Sequence, residues 1–426
     1  MTTRRQGLAR CGALSVGVVL AALAGCGEAA TTAPRARSAP DTLTALPRAL
    51  SATERQAVAN ANTFGFGLLR EVLGGAGAGE NVVLSPFSAS VALGMTMNGA
   101  AGATEAGMRS TLGWDAGASQ ADVNSAYRDL GRLLGSLDPS VTLTSANAIW
   151  YRQGFAVEPA FLQAARDFFS ANVQAADFSS PATITAVNDW ASRATNGKIQ
   201  NVLDQITSDH MMFLLNALYF KGTWRTQFEV SETRARAFTR ADGRAASIPF
   251  MHRTIGGGRM FFGPDFRVLE LPYGNGAYVM NFFVPTGTLS LRDLAGRLAG
   301  QGLAQALLNL RDVPEASIAV PRFTITGKRA LRQPLTALGM GTAFDCARAD
   351  FTRLTSARGV CIGAVQQDAM IEVNEQGTEA AAVTRVDIIR VSLPPEFAVD
   401  RPFLFAIRER LSNTTYFLGA VQALGN

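Results

Sequence analysis

The chain has 426 residues, 47% hydrophobic and 17% charged, a composition that can bury a large core and excludes a disordered polymer. The formal charge of +5 includes Arg4, Arg5 and Arg10; without residues 1–25, which hold no acid, it falls to +2. The remaining arginines are scattered singly, which argues against a nucleic-acid-binding face, so no nucleic acid is expected as a partner.

At the amino terminus the three arginines precede the apolar run Ala13–Ala22, too short for a comfortable membrane span and read as a secretory signal. It ends in Leu23-Ala24-Gly25-Cys26, which resembles a bacterial lipoprotein cleavage box. That resemblance implies that residues 1–25 are removed and that Cys26 is acylated. An ordinary signal with a chance cysteine is the alternative. Gly27, with no aspartate beside the lipid site, implies export to the outer membrane or cell surface, with release into the medium as a second outcome. Thr3-Arg4-Arg5 is also faintly similar to a twin-arginine signal but lacks the bulky apolar pair. Residues 26–50 are rich in Ala, Thr, Pro and Arg without an apolar period, and predict a flexible tether.

A domain is expected over residues 51–426. Ala57, Asn60, Phe64, Leu68 and Leu69 recur at helical spacing until Gly74-Gly75. Ser85-Pro86 starts a second helix, proline falling in a first turn where no backbone donor is missed, and Gly99 and Gly102 end it. Val141–Tyr151 predicts a strand, 181–196 an amphipathic helix, and the almost wholly apolar Met211–Phe220 a central strand covered on both faces. Val268–Leu271, Tyr278–Val284, Ile318–Thr326, Phe403–Ile407 and Thr415–Val421 predict further strands, with a helix over Leu331–Leu338. One large α+β domain follows.

Catalytic chemistry is hard to place. His210 and His252 are the two histidines, neither in a recognisable setting, and GxSxG, HExxH and SxxK are absent from the sequence. The chain is therefore not expected to be an enzyme. Cys11 lies in the signal and Cys26 at the lipid site, which leaves Cys346 and Cys361 as a disulfide or two independent thiols; a bridge would be worth ~3 kcal/mol on the chain-entropy model. Without a CxxC pair no zinc site is expected, and neither metal nor cofactor is called for.

Several stretches in order are similar to one family, the serpins. They are Asn81–Ser88 continuing to Thr104, Asn188-Asp189-Trp190 with Thr195–Ile199, Asn216–Trp224, Leu271-Pro272-Tyr273, Pro321-Arg322-Phe323, Leu338-Gly339-Met340 and Asp400–Phe405. The resemblance covers residues 51–424. It implies eight to nine helices around three β-sheets, and an exposed reactive-centre loop over about 375–396. It also implies a metastable inhibitor that is cut as bait by a serine or cysteine protease. The cut loop then enters the main sheet as a new strand and traps the covalent complex. A monomer is expected.

The loop's residues agree with that role. In the family's register, counted from Gly377-Thr378 and back from Pro394-Pro395-Glu396, the scissile bond is Val391-Ser392. Residues 378–391 would extend roughly 45 Å as a strand. Period two puts Thr378, Ala380, Ala382, Thr384, Val386 and Ile388 on one small or apolar face, and Glu379, Ala381, Val383, Arg385, Asp387 and Ile389 on the other. The hinge is Glu375, Gly377, Thr378, Glu379, Ala380, Ala381 and Ala382; charge or bulk on its inward face would slow insertion. Val391 suits a small apolar pocket of an elastase-like protease, and Arg390 is the alternative bait for a trypsin-like one. The resemblance also assigns Ser85, Ser88 and Asn216 to a polar cluster beneath the opening strands, and Trp224 to the loop's entry point. Gln367 stands where most relatives carry histidine, and cannot become cationic. A serpin-fold binding or adhesion module without inhibition is the alternative function.

Overall fold

The computed structural model describes residues 41–378 and 395–425. Its helices are α1 (Ala52–Gly75), α2 (Pro86–Met97), α3 (Gly102–Thr111), α4 (Gln120–Leu134), α5 (Pro159–Phe169), α6 (Pro181–Ala194), α7 (Leu291–Leu298), α8 (Gly302–Leu308) and α9 (Arg332–Leu335). Ser51 opens α1 with a reciprocal cap: its side chain accepts from the Glu54 amide, and the Glu54 carboxylate accepts from the Ser51 amide. Pro86, Pro159 and Pro181 each occupy a first turn.

The strands are β1 (Val82–Leu84), β2 (Val141–Arg152), β3 (Asn172–Ala176), β4 (Met212–Thr223), β5 (Arg234–Thr239), β6 (Ala245–Phe262), β7 (Phe266–Pro272) and β8 (Tyr278–Pro285). They continue with β9 (Arg311–Pro321), β10 (Phe323–Ala330), β11 (Gln366–Val373), β12 (Gly377–Thr378), β13 (Glu396–Ala398), β14 (Phe403–Glu409) and β15 (Thr415–Val421). Among the described residues they form three sheets. A nine-stranded sheet runs β1-β15-β14-β8-β7-β6-β9-β13, with β5 added on β6. A four-stranded sheet runs β12-β4-β2-β3, and a two-stranded one pairs β10 with β11. In the large sheet β8, β14 and β15 are buried along their whole length, which is why their sequences are largely apolar, with Asn281, Arg408, Glu409 and Thr415 the buried polar exceptions.

Three expectations need correction. Ile318–Thr326 is not one strand: the chain breaks at Pro321-Arg322, where Arg322 N–H donates to the Pro249 carbonyl, 3.1 Å, and β9 and β10 join different sheets. Both pieces alternate correctly, so periodicity could not register the change of sheet. The helix over Leu331–Leu338 is shorter, since α9 closes at Leu335 and a wider turn follows over Thr336–Met340. The tether expected over 26–50 is also packed against the domain over its described part, residues 41–50. Leu43, Leu46 and Leu50 are half-buried against the core, and Leu43 N–H donates to the Asn275 carbonyl at 2.9 Å. These leucines lie in a stretch without regular secondary structure, so no period among the Thr, Pro and Arg marked them for burial.

The large sheet is fastened internally by a buried ion pair. Arg408 on β14 and Glu270 on β7 are hydrogen-bonded and almost inaccessible, and Arg408 also donates to Asn281 and Asn413, both at 2.8 Å. Arg259 adds a second contact to Glu270 at 3.0 Å. Burial pulls the Arg408 guanidinium below the usual arginine range, opposed by Glu270 and Glu409. Removing the cation would strand a carboxylate in an apolar interior. Arg408→Met is therefore expected to destabilise the fold by about 3–5 kcal/mol, read as a lower urea midpoint.

Candidate functional site

The last residues of β4, the turn between β7 and β8, and the segment after β11 meet at one end of the four-stranded sheet. Trp224 follows β4 and grips the chain after β11 twice: its amide donates to the Gln376 carbonyl and its indole Nε1 to the Asn374 carbonyl, each 2.9 Å. Phe228 N–H donates to the Glu375 carbonyl at 2.8 Å. The consecutive carbonyls of residues 374–376 thus all accept from N–H donors of a single Trp-x-x-x-Phe stretch. The Glu375 carboxylate, also buried, accepts from Thr233 Oγ1 at 2.8 Å and lies 3.7 Å from Arg322.

From there the chain turns into β12, which pairs antiparallel with β4, Gly377 opposite Thr223 and Thr378 opposite Gly222. Asn374 and Gly377 also bridge, so β12 sits between the ends of β11 and β4. Gly377 has φ +141°, and a Cβ there would meet the Gly222 carbonyl oxygen at 2.2 Å. Only glycine fits this approach. Thr378 is buried with its Oγ1 3.1 Å from Tyr273 Oη, and Tyr273 stacks on Trp224 with ring centroids 4.4 Å apart. Burial pushes the Tyr273 phenol well above its ordinary pKa, so it stays a neutral hydrogen-bonding group.

Beyond β12, β4 and β11 part. No pairing between these two strands occurs among the described residues; β4 bonds β2 and β12, and β11 bonds β10. A cavity of about 30 Å³, enough to admit water, lies below Thr378 between Leu218–Phe220 of β4 and Met370 and Glu372 of β11. Along β4, Leu218 and Phe220 face the main core, while Ala217 packs with Trp150, Val187 and Trp190 beneath α6. An element entering beside β4 would meet the core on one face and α6 on the other.

The expected polar cluster is only partly assembled. Gln367 brackets Ser85: its Oε1 accepts from the Ser85 amide at 2.8 Å and its Nε2 donates to the Ser85 carbonyl at 3.0 Å. Ser88 is buried nearby on α2. Asn216 is engaged instead with Asn147 across β2, donating to its Oδ1 at 2.7 Å. Asn216 Oδ1 and Ser85 Oγ are buried without a partner among the described residues. Cys346 and Cys361 are joined as a disulfide, with Cα atoms 4.7 Å apart. Cys26, Glu379, Ala380, Ala381, Ala382, Arg390, Val391 and Ser392 lie outside the described residues. Sequence reasoning gave no role to Tyr273, Phe228, Thr233, Arg322 or Asn147. The Trp-x-x-x-Phe spacing is the one visible signal, since the others reach the site from distant strands.

A sheet parted beside a hinge strand is the arrangement of a particular family, and comparison with known proteins agrees. The family model for serpins, serine protease inhibitors, matches residues 59–423. The chain belongs to the serpin family. It is similar to glia-derived nexin of Rattus norvegicus, 31% identical over 351 residues that cover 80% of this chain and 87% of that protein. It is also similar to intracellular coagulation inhibitor 2 of Tachypleus tridentatus, 33% identical over 374 residues, 85% of this chain and 90% of that one. The crystal structure of tengpin, a thermophilic serpin in the native state, superposes with a TM-score of 0.79 at 27% identity, covering 90% and 98% of the two chains. Human thyroxine-binding globulin superposes at 0.80 with 24% identity over 88% of this chain and 100% of that one, a likeness of fold alone.

The hinge geometry can be probed directly. Glu375→Lys sets a second cation beside Arg322 and removes the acceptor of Thr233, and is expected to cost about 1–3 kcal/mol, seen as a lower thermal midpoint. Glu375→Gln keeps that acceptor and should lose clearly less; equal losses would show that the carboxylate's contacts do not hold the hinge.

Proposed function

We propose that the protein is a suicide inhibitor of serine proteases, tethered to the cell envelope through a lipid on Cys26. It would present Val391-Ser392 as the bond to be cut, to an elastase-like enzyme, with Arg390 and a trypsin-like enzyme as the alternative. Members of the family inhibit serine proteases and form complexes with them; the finer reading rests on this chain's hinge. The observation that carries it is β12, seated one strand-width into the gap between β4 and β11 with Gly377 at its one permissive position.

Extending the β12 register along β4 gives the inserted strand its neighbours. Ala380 falls beside Phe220, Ala382 beside Leu218 and Thr384 beside Asn216, all on the face packed against the main core. Small residues there meet large ones already in place. On the other side the Asn374–Gly377 bridge carries Thr384 to Gln367. Its hydroxyl would arrive where Asn216 Oδ1 and Ser85 Oγ lack partners, supplying a donor to a site that has buried acceptors to spare. Glu379, on the opposite face, falls beside Lys221 of β4. Ladder hydrogen bonds at ~1 kcal/mol net each would contribute on the order of ten kcal/mol to the inserted state.

Incubation with an elastase is expected to give an SDS-resistant complex of the summed masses and a released peptide beginning at Ser392. Cleaved protein with fully active protease would leave the binding-module reading. Thr378→Arg puts a cation against Tyr273 in the buried face, and is expected to turn inhibitor into substrate with cleavage intact. Inhibition surviving that change would exclude insertion as the mechanism.

A further inference from the structure

The segment between α9 and β11 spans the end of the parted sheet remote from β12, and the disulfide closes it into a ring. Its feet rest on the two-stranded half. Ile362 N–H donates to the Ala343 carbonyl at 2.9 Å, Leu331 N–H to the Val365 carbonyl at 2.8 Å, and Arg332 Nη2 to the Phe344 carbonyl at 3.0 Å. β11 begins immediately after, at Gln366.

The tip of the ring grips elsewhere. Asp350 N–H donates to Thr104 Oγ1 at 2.8 Å, and the Asp350 carbonyl accepts from Ala101 N–H at 2.9 Å. Arg353 donates to the Ala100 carbonyl and pairs with Glu105 at 2.7 Å. Phe351 and Leu354 are buried in the core. On the far side, Thr355, fully inaccessible, donates through Oγ1 to the Ala156 carbonyl at 2.6 Å, and Glu158 N–H donates to the Leu354 carbonyl at 2.8 Å. Ala156 and Glu158 lie on the connection from β2 to α5, in the four-stranded half of the parted sheet.

Each of these tip contacts falls between Cys346 and Cys361, and each foot contact joins a residue within four positions outside the pair to its neighbours or to the Leu331–Arg332 turn. Away from the hinge, Lys328 with Asp204 is an exposed ion pair and Lys198 with Glu372 a longer, partly exposed one at 3.8 Å, settings in which ion pairs contribute little. The ring is thus a buried tie between the two halves, and the disulfide limits how far its tip can move while its feet stay fixed.

We propose that the Cys346–Cys361 disulfide is a redox-sensitive brace that sets how readily the two halves of the main sheet separate. A dithiol breaks the Sγ–Sγ bond by exchange, giving each sulfur a proton and one of the two transferred electrons, and leaves as its own cyclic disulfide. The loop then opens locally and Thr355 and Leu354 release the end of β2. Oxidation would hold the sheet parted but unconverted, and reduction would shorten the inhibitor's active lifetime. That last consequence rests on the loop-insertion reading; the brace itself does not.

The test is hydrogen exchange on the oxidised full chain, the same chain reduced by dithiothreitol, and the Cys346→Ser/Cys361→Ser variant. Exchange is expected to rise about tenfold in peptides covering Met212–Thr223 and Gln366–Val373 on reduction and in the variant, with β14 and β15 unchanged. Thr355→Val, which keeps the disulfide and removes the bond to Ala156, should accelerate the β2 and β4 peptides. Acceleration confined to residues 345–365, or spread uniformly over the chain, would overturn the proposal. The half-life of inhibition should shorten by a similar factor. A protein that forms no inhibitory complex would fail the functional reading alone, with the exchange result still deciding the brace.

Discussion

Two neighbouring strands, β4 and β11, that do not bond each other are the constraint on which the rest of this molecule turns. Backbone donors and acceptors in a sheet must find partners, so a sheet parted along its length holds a place for one more strand. β12 and the glycine that opens it take their meaning from that place. The remaining architecture decides where the parting begins and how firmly each end is held.

The two ends are held by different chemistry. At the hinge end aromatic stacking and main-chain hydrogen bonds dominate: Trp224 lies on Tyr273, and Trp224 and Phe228 clamp the carbonyls of residues 374–376. These contacts are directional and can be exchanged one by one as a strand advances. At the remote end a covalent ring spreads its load over helix starts, buried side chains and the exit of β2. Behind both stands the nine-stranded sheet, its Arg408–Glu270 pair buried among paired amides, which does not share the parting. A continuous sheet beside a divided one is how a single fold can be well packed while β4 and β11 stay unbonded to each other.

Much of this was legible in the residues. The prolines that open α2 and α6 and the largely apolar runs of β8, β14 and β15 are local signals, and each appears where it was expected, whereas the reciprocal cap at Ser51 and Glu54 was found only in the structure. Gly377 was legible for a physical reason, because its backbone geometry is one that glycine alone tolerates. The polar cluster was legible only as a list: Ser85 and Gln367 meet, whereas Asn216 turns to Asn147. An amide can satisfy itself with several neighbours, and composition does not say which is nearer.

By itself the sequence determined most of the elements and membership of a family whose order of motifs is specific. These depend on short-range periodicity and on residues with a single tolerable conformation. Only the tertiary structure decided that β9 and β10 belong to different sheets, that residues 41–50 lie against the body, and that Tyr273 meets Thr378. The same holds for the ring closed by Cys346 and Cys361, whose tip reaches Ala156 and so ties one half of the sheet to the other. The physical reason is sequence separation: these contacts join segments tens to hundreds of residues apart, and no local pattern encodes which distant strand or turn will be the neighbour.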